Sequence, residues 1–258
     1  FTVGADTNYS DTTGDGMVAW NWKANGSGSA NTVGSSASTV SVNTDAGFSI
    51  VKYTGTGSTA TVGHGLSKAP EWIIIRNLDT LAGTLVYYNA GGAMDETDGL
   101  YMHSTLAKID AATFFNDTAA SSTVFTIESH SNCNTNTDDY IAYCFHSVDG
   151  YSKVGSYIGN ANGDNGDGPF VYLGFRPKYL LVKKATNVAD WYIFDTARDT
   201  DNDVKEYLRK NSSNAEATSA GNATIFDFTS NGFKLRGASG DVNGNNETYI
   251  YLAFAETP

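Results

Sequence analysis

The sequence is short of proline, cysteine and charge. Its 258 residues include only 4 prolines and 2 cysteines, and Asp, Glu, Lys and Arg make up 17%, below the roughly 25% of average soluble proteins. No apolar run reaches the roughly 18 residues of a bilayer-spanning helix, and no basic-then-apolar leader opens the chain. Cys133 and Cys144 cannot form a disulfide framework; they form either a single bridge or two isolated thiols, with Cys144 buried. We therefore expect no membrane partner.

Basic residues are also few. Lys and Arg number 16 against 28 Asp and Glu, which gives a formal net charge of −12. Because such a surface repels a phosphate backbone, we expect no nucleic-acid partner. Glycine, tyrosine and phenylalanine are plentiful, at 27, 15 and 13 residues, a composition that suits short strands and many turns.

The chain repeats itself at a spacing of about 107 residues. Ala69–Asn77 matches Arg176–Lys184, and the two prolines of this motif stand 107 positions apart. Three further matches follow in the same order, at offsets of 106 to 109: Leu85–Tyr88 with Trp191–Phe194, Phe125–Ile127 with Phe233–Leu235, and Tyr140–Phe145 with Tyr249–Phe254. Because the matches keep their order, the sequence predicts two copies of one module.

A shortened third copy opens the chain, since Phe1–Val3 and Met17–Trp22 reproduce the closing motif of each repeat. A start at Phe1 rather than Met indicates a processed chain or a piece of a longer protein. Thr39–Val42 is the one extended stretch in an otherwise flexible Gly/Ser/Thr-rich linker. The predicted organisation is a terminal hairpin of a truncated preceding repeat at 1–23, the linker at 24–47, a first repeat at 48–149 and a second at 150–258.

Each repeat contains period-2 segments rich in aromatic and β-branched residues, which is the strand pattern. The predicted strands cover 48–53, 72–76, 84–88, 123–127, 140–145, 153–158, 170–173, 179–183, 191–194, 225–228, 233–235 and 249–255. Ile73–Ile75 and Leu180–Val182 are unbroken apolar runs, which predicts central strands covered on both faces. The expected fold class is all-β, with two tandem homologous β-sandwich, jelly-roll-like domains, an N-terminal β-hairpin and a linker. Apolar spacing predicts two short helices, at Asp203–Lys210 and Leu100–Ile109.

Residue types that carry catalysis or bind metals occur singly. His64 lies between two glycines but has no Ser or Asp partner at a recognisable spacing, which favours a turn histidine over a catalytic one. No His or Cys spacing fits zinc. Asp199–Asp203 and Asn160–Gly168 gather oxygen ligands at alternate positions, as calcium loops do, but neither continues to a bidentate Glu, which favours solvated turns. We predict no cofactor and no metal.

The most site-like stretch runs from Asp190 to Asp199, where aromatic residues alternate and an arginine lies between acids. Trp191, Asp195 and Arg198 are the candidate ligand-binding residues, because a ring that stacks on a sugar face and hydrogen-bonding Asp and Arg groups suit a glycan. The alternative is that Trp191 and Ile193 fill the core and Arg198 pairs locally, since alternation alone predicts one buried face.

Several linked strings resemble a known family. They are Gly47–Gly55, Val62–Leu66, Tyr151–Asn160, Gly168–Tyr172, Gly174–Pro177, Ser230–Arg236 and Tyr249–Glu256. Together they closely resemble a repeat domain of uncharacterised function in large virion proteins of tailed phages, especially marine ones. In that family the domain often follows laminin-G-like or concanavalin-like lectin modules, and no catalytic residues are established that could be carried over.

The resemblance implies a non-enzymatic structural protein of the virion: a tail fibre, an appendage or a capsid decoration at the surface of the extracellular particle. We expect it to act in assembly and surface presentation. Its expected partners are other virion proteins and further copies of itself, with a host-surface glycan as an additional contact.

Three alternatives remain open. A carbohydrate-binding module predicts an exposed aromatic platform. A polysaccharide depolymerase needs two carboxylates facing one sugar, and 28 acidic residues supply too many pairs to single one out. A bacterial or archaeal surface-layer or filament subunit would have the same composition.

Overall fold

Strands dominate the computed structural model, which describes residues 17–163, 167–219 and 225–256. The predicted all-β sandwich fold is confirmed. The helices of the described residues are single turns, α1 (Ala112–Phe115) and α2 (Gly240–Asn243), and neither could cross a bilayer. Most of the predicted hairpin at 1–23 lies outside the described residues, and residues 17–23 form no strand.

The strands fall into two units. The first unit contains β1 (Ser29–Asn31), β2 (Ser38–Asn43), β3 (Phe48–Thr54), β4 (Ala60–Gly63), β5 (Trp72–Asn77), β6 (Leu85–Tyr88), β7 (Asp98–Tyr101), β8 (Ile109–Asp110), β9 (Val124–Ile127) and β10 (Asp139–Phe145). The second unit contains β11 (Ser152–Ile158), β12 (Phe170–Tyr172), β13 (Tyr179–Lys184), β14 (Trp191–Asp195), β15 (Glu206–Arg209), β16 (Ala217–Thr218), β17 (Phe226–Thr229), β18 (Gly232–Leu235) and β19 (Thr248–Phe254).

Each unit has one large and one small antiparallel sheet. The large sheet of the first unit has the order β1-β2-β3-β10-β5-β6-β7-β8, and that of the second has the order β11-β19-β13-β14-β15-β16. The small sheets are β4-β9 and β12-β18-β17. The run β3-β10-β5-β6-β7 therefore has the same order as β11-β19-β13-β14-β15, which agrees with the offsets between the sequence matches.

Three apolar cores separate four layers of sheet. One core lies between β4-β9 and the large sheet of the first unit, and another lies between β12-β18-β17 and the large sheet of the second. The third lies between the two large sheets, where Trp72 and Trp191 meet edge to face at 6.0 Å between ring centroids. The two predicted central strands, β5 and β13, are covered on both faces because each lies between two cores.

A tyrosine on the first strand of each module, β3 or β11, makes the same bond in both units. The Tyr53 hydroxyl donates to the Cys133 carbonyl at 2.7 Å, and the Tyr157 hydroxyl donates to the Val242 carbonyl at the same distance. The acceptors are 109 residues apart, which is the offset of the closing motif.

A buried asparagine also recurs at this offset. The Asn134 side chain accepts from the Thr56 backbone N–H at 2.6 Å and donates to the Ser58 carbonyl at 2.7 Å. The Asn243 side chain accepts from the Asn160 N–H at 2.9 Å and donates to the Asn162 carbonyl at 2.8 Å. In each unit, one side chain fixes the loop that leaves the first strand of the module.

The segment predicted as a flexible linker, 24–47, contains β1 and β2 and is part of the first large sheet. β2 pairs with β3 over Ser38–Asn43, and it includes the predicted extended stretch. The buried side chains of β2 are small, mainly Val40 and two serines. The segment therefore has the composition of a flexible linker although it is packed into the sheet.

The two predicted helices are wrong. Glu206–Arg209 is β15, and Asp98–Tyr101 is β7 followed by a turn. Tyr207 contacts the core of the second unit while its neighbour Leu208 packs against the central core. Because these strands lie between two cores, they bury residues on both faces, and the added apolar positions imitate helical spacing.

The paired asparagines give a direct test of the duplication. We expect Asn134→Ala and Asn243→Ala each to lower the free energy of unfolding by roughly 1–3 kcal/mol, because each leaves buried backbone groups without a partner. Urea titration followed by circular dichroism measures the loss. A large effect at one position and none at the other would contradict an equivalent role.

Candidate functional site

Trp191 lies in the central core and is not a surface residue. Its side chain is fully buried in β14, and its indole N–H donates to the Tyr101 carbonyl of the first unit at 3.0 Å. The Trp72 ring packs against it. The prediction that Trp191 stacks on a sugar is therefore wrong, because neither face of the ring is accessible.

Asp195 and Arg198 form a closed local network. The buried Asp195 carboxylate accepts from the Arg198 Nε at 2.7 Å and from the backbone N–H groups of Ala197 and Arg198 at 3.0 Å. The Arg198 guanidinium also binds Glu216 at 2.8 Å and the Ile193 carbonyl at 3.2 Å. These side chains stabilise the turn after β14, and the alternative interpretation, in which Arg198 pairs locally, describes the geometry.

His64 is the turn histidine that the sequence favours. Its ring is buried; Nδ1 accepts from the Leu66 N–H, and Nε2 donates to the Ser121 carbonyl, both at 3.1 Å. Burial lowers the pKa of the imidazole below its ordinary value. A neutral ring with both nitrogens bonded to the backbone has no nitrogen left for proton transfer.

Both cysteines are free thiols and buried. Burial raises the pKa of Cys133 and of Cys144 to about 12, so neither is a thiolate nucleophile at neutral pH.

The described ranges contain no group of three or more His, Cys, Asp or Glu side chains that could hold a metal. Of the two oxygen-rich loops, the one at 160–168 includes residues outside the described part of the chain. In the other, the Asp199 carboxylate already accepts from the N–H groups of Lys205 and Glu206 at 2.7 and 2.6 Å.

A crevice lies between the two large sheets. Its volume is about 480 Å³, within the range typical of small-molecule sites. Its walls are mainly apolar and come from both sheets: Phe48, Ile50, Ile74, Met102, Tyr143, Phe145, Tyr179, Leu181, Ile193 and Leu252. Two cationic side chains, those of Arg76 and Lys210, also line it.

One side of the crevice is closed by an extended segment, residues 18–24, which we call the strap. Alternate strap residues turn inward, and Trp20 and Trp22 both contact the Tyr179 ring edge to face at 5.5 Å. The strap is then held to β2, where the Asn43 amide donates to the Lys23 carbonyl at 3.1 Å. The strap forms part of the wall without pairing into either sheet.

A second surface follows from a difference between the units. In the first unit, the connection between β1 and β2 covers the ends of β3 and β4. The Ser36 N–H donates to the Thr61 carbonyl at 2.9 Å, its hydroxyl to the Thr54 carbonyl at 3.3 Å, and the Ser38 hydroxyl to the Gly63 carbonyl at 3.0 Å.

The described part of the second unit has no corresponding hairpin. Strand register makes Ile158, Phe170 and Tyr172 the counterparts of Thr54, Thr61 and Gly63. These three side chains are 63%, 47% and 66% exposed.

The backbone of β11 is open on the same side at Ser156 and Ile158. The start of its outer edge is occupied, since Val148 forms a bridge to Ser152 and the Val154 N–H donates to the Ser147 hydroxyl at 3.0 Å, but no strand of the described residues pairs beyond it. We call this surface, formed by the β11 edge and these three side chains, the open edge.

The sequence reasoning placed both β11 and β12 but did not single out the open edge or the crevice. Aligning the two repeats could have found the open edge, because apolar Ile158, Phe170 and Tyr172 replace two threonines and a glycine. No sequence signal brings Arg76 and Lys210 together, since they come from different units.

Over its whole length, residues 1–258, the sequence matches the family model described as a domain of unknown function, DUF7483. The chain belongs to this family. The DUF7483 match includes both units and the strap in a single family domain. No curated protein and no solved structure matches the chain.

The burial of Lys183 between the two units can be tested by varying the pH. Its ammonium group is buried between the units and donates to the carbonyls of Thr105 and Lys184 at 3.2 and 2.8 Å. Burial, aided by the charge of Lys184, lowers its pKa from 10.5 to about 8. Above pH 8 the unfolded chain therefore holds a proton that the native Lys183 has lost, so the contribution of Lys183 to the free energy of unfolding should rise with pH.

Burial acts in the opposite direction on Cys133, Cys144 and the core tyrosines, whose native pKa it raises, so the contribution of Lys183 is read as the difference between the wild type and Lys183→Met. Urea titrations between pH 8 and pH 10 should show this difference changing in favour of the wild type by about 2 kcal/mol. Lys178→Met, at a half-exposed lysine, should follow the wild type. The same slope in all three proteins would refute the assignment.

Proposed function

We propose that the chain is a non-enzymatic structural protein of a tailed-phage virion, acting in assembly and surface presentation. The observation that carries the proposal is the open edge of the second unit. The resemblance of the strings in both repeats to virion proteins supports the kind of particle. The internal bonding of His64, Asp195 and Arg198 and the burial of the two thiols support a role without turnover.

An open sheet edge is a template for another strand. Folded proteins usually protect such edges with charge, a bulge or a covering segment, because unpaired N–H and C=O groups recruit other chains. Here the protection present in the first unit is replaced by three exposed apolar side chains. The edge therefore has the backbone groups and the apolar contacts that strand addition from a partner requires.

The partner that fits best is another subunit of the same particle. The β1–β2 hairpin of the first unit shows which contacts a partner would make. It pairs with the outer edge of the module's first strand and covers the neighbouring small sheet. A second copy of this chain or another virion protein would supply that strand, which makes the protein an assembly component.

Host-glycan contact is a second candidate function. Phe170 and Tyr172 point outward from alternate positions of β12, as a stacking platform requires. This surface coincides with the open edge, so assembly and glycan contact would compete for it.

Two measurements test the proposal. Mass spectrometry of purified phage particles and of host envelopes should find the protein in the particles; its recovery from envelopes alone would favour a surface-layer subunit. Sedimentation velocity should show self-association, or association with particle proteins, that the double variant Ile158→Lys/Tyr172→Lys weakens roughly tenfold or more.

Leu81→Lys is the matched control, because Leu81 is fully exposed and lies away from the open edge. It should associate like the wild type, and all proteins should melt alike. Association unchanged in the double variant would refute the assembly surface. Loss of binding to host polysaccharide with association intact would assign the edge to glycan contact instead.

A further inference from the structure

We propose that the crevice between the two large sheets is a binding site for an amphiphilic anion, an acyl or aryl body with a carboxylate, sulfate or phosphate group. The inference is independent of the proposed assembly role, since the crevice and the open edge share no residues. It depends on three features: an apolar interior, two unpaired cations and an unused hydrogen-bond donor.

The interior matches the apolar body of such a ligand. Ile74 and Ile50 from one sheet face Leu181 and Ile193 from the other, and Met102 adds a flexible side chain. The two isoleucines are only partly buried although they belong to the central core. An apolar ligand would remove this surface from water, which favours binding in proportion to the apolar area covered.

The positive charge of the crevice lining indicates that the ligand also carries an anionic group. Arg76 belongs to β5 and Lys210 follows β15, so the crevice brings together cations from two units. Both residues are solvent-exposed, and neither makes an ion pair within 4 Å or a side-chain hydrogen bond among the described residues. Partial desolvation of its ammonium group and the charge of Arg76 both lower the pKa of Lys210.

Two cations that face one cavity without a counter-ion repel each other, and a bound anion would relieve this. Acidic residues outnumber basic ones 28 to 16 in this chain, yet among the described residues no carboxylate pairs with Arg76 or Lys210. The charge of the site is therefore complementary to an anion and opposite in sign to that of the chain.

The strap supplies the third feature. The Trp20 ring lines the crevice, and its indole N–H is buried with no acceptor among the described residues. A carboxylate, sulfate or phosphate oxygen is the kind of acceptor that would satisfy it. Because Trp20 and Trp22 form the wall, binding should change tryptophan fluorescence.

The probes are 1-anilinonaphthalene-8-sulfonate, followed by its fluorescence, and dodecanoate below its micellar concentration, followed by calorimetry and by displacement of the dye. We expect saturable binding of one molecule per chain to the folded protein, with dodecanoate displacing the dye and neutral dodecanol at least tenfold less effective. Equal displacement by both would overturn the assignment of an anion.

Arg76→Met/Lys210→Met should weaken binding of both probes at least tenfold. The double control Lys68→Met/Lys153→Met removes the same charge elsewhere and should bind like the wild type. Ile74→Trp, which fills the crevice, should abolish binding with the cations intact. Circular dichroism and melting curves establish that each variant is folded. Unchanged binding in Arg76→Met/Lys210→Met and in Ile74→Trp would overturn the proposal.

Vesicles of phosphatidylglycerol distinguish the source of the anion. Cosedimentation that is lost in Arg76→Met/Lys210→Met would identify a lipid headgroup, and binding of free dodecanoate alone would identify a free acid. Either result supports the site. Cosedimentation that persists in this variant, without binding of free dodecanoate, would overturn it.

Discussion

The apolar contact between the two large sheets is the interaction on which the rest of the structure depends. Each large sheet buries side chains on both faces, so separating the units would expose Trp72, Trp191, Leu181 and their neighbours to water. Full burial of one such side chain contributes about 1.5–3 kcal/mol, and the central core contains many. Residues from both sheets line the crevice, and the contact buries Lys183 between the units.

Much of the fold could be predicted because the same strand pattern occurs in both repeats, so each predicted strand is supported by its counterpart. A strand such as Tyr179–Lys184 is recognisable from its apolar run, and its counterpart Trp72–Asn77 recurs at the right spacing. The predicted strands lie where the structure has them, since burial on one or both faces fixes side chains at alternate positions. The position of His64 in a loop was also predictable, because it has glycine neighbours and no Ser or Asp at a spacing that fits catalysis.

The parts that could not be predicted depend on contacts between distant segments. The β1–β2 hairpin has side chains too small to give a periodic signal, yet it pairs with β3 along its length. The helical spacing of Val204, Tyr207 and Leu208 arises from a strand between two cores. The sequence alone left open whether Trp191 faces a ligand or the core, and the large sheet of the first unit, packed over it, makes it a core residue. Arg76 and Lys210 are 134 positions apart, and only the packing of the units places them on one crevice.

Differential scanning calorimetry tests the central claim most directly, because a shared core makes the two units unfold together. The account predicts one transition whose calorimetric enthalpy equals its van 't Hoff enthalpy, as expected for a single cooperative unit. Two separate transitions, or a van 't Hoff enthalpy near half the calorimetric value, would show that each sandwich folds independently and would contradict the account.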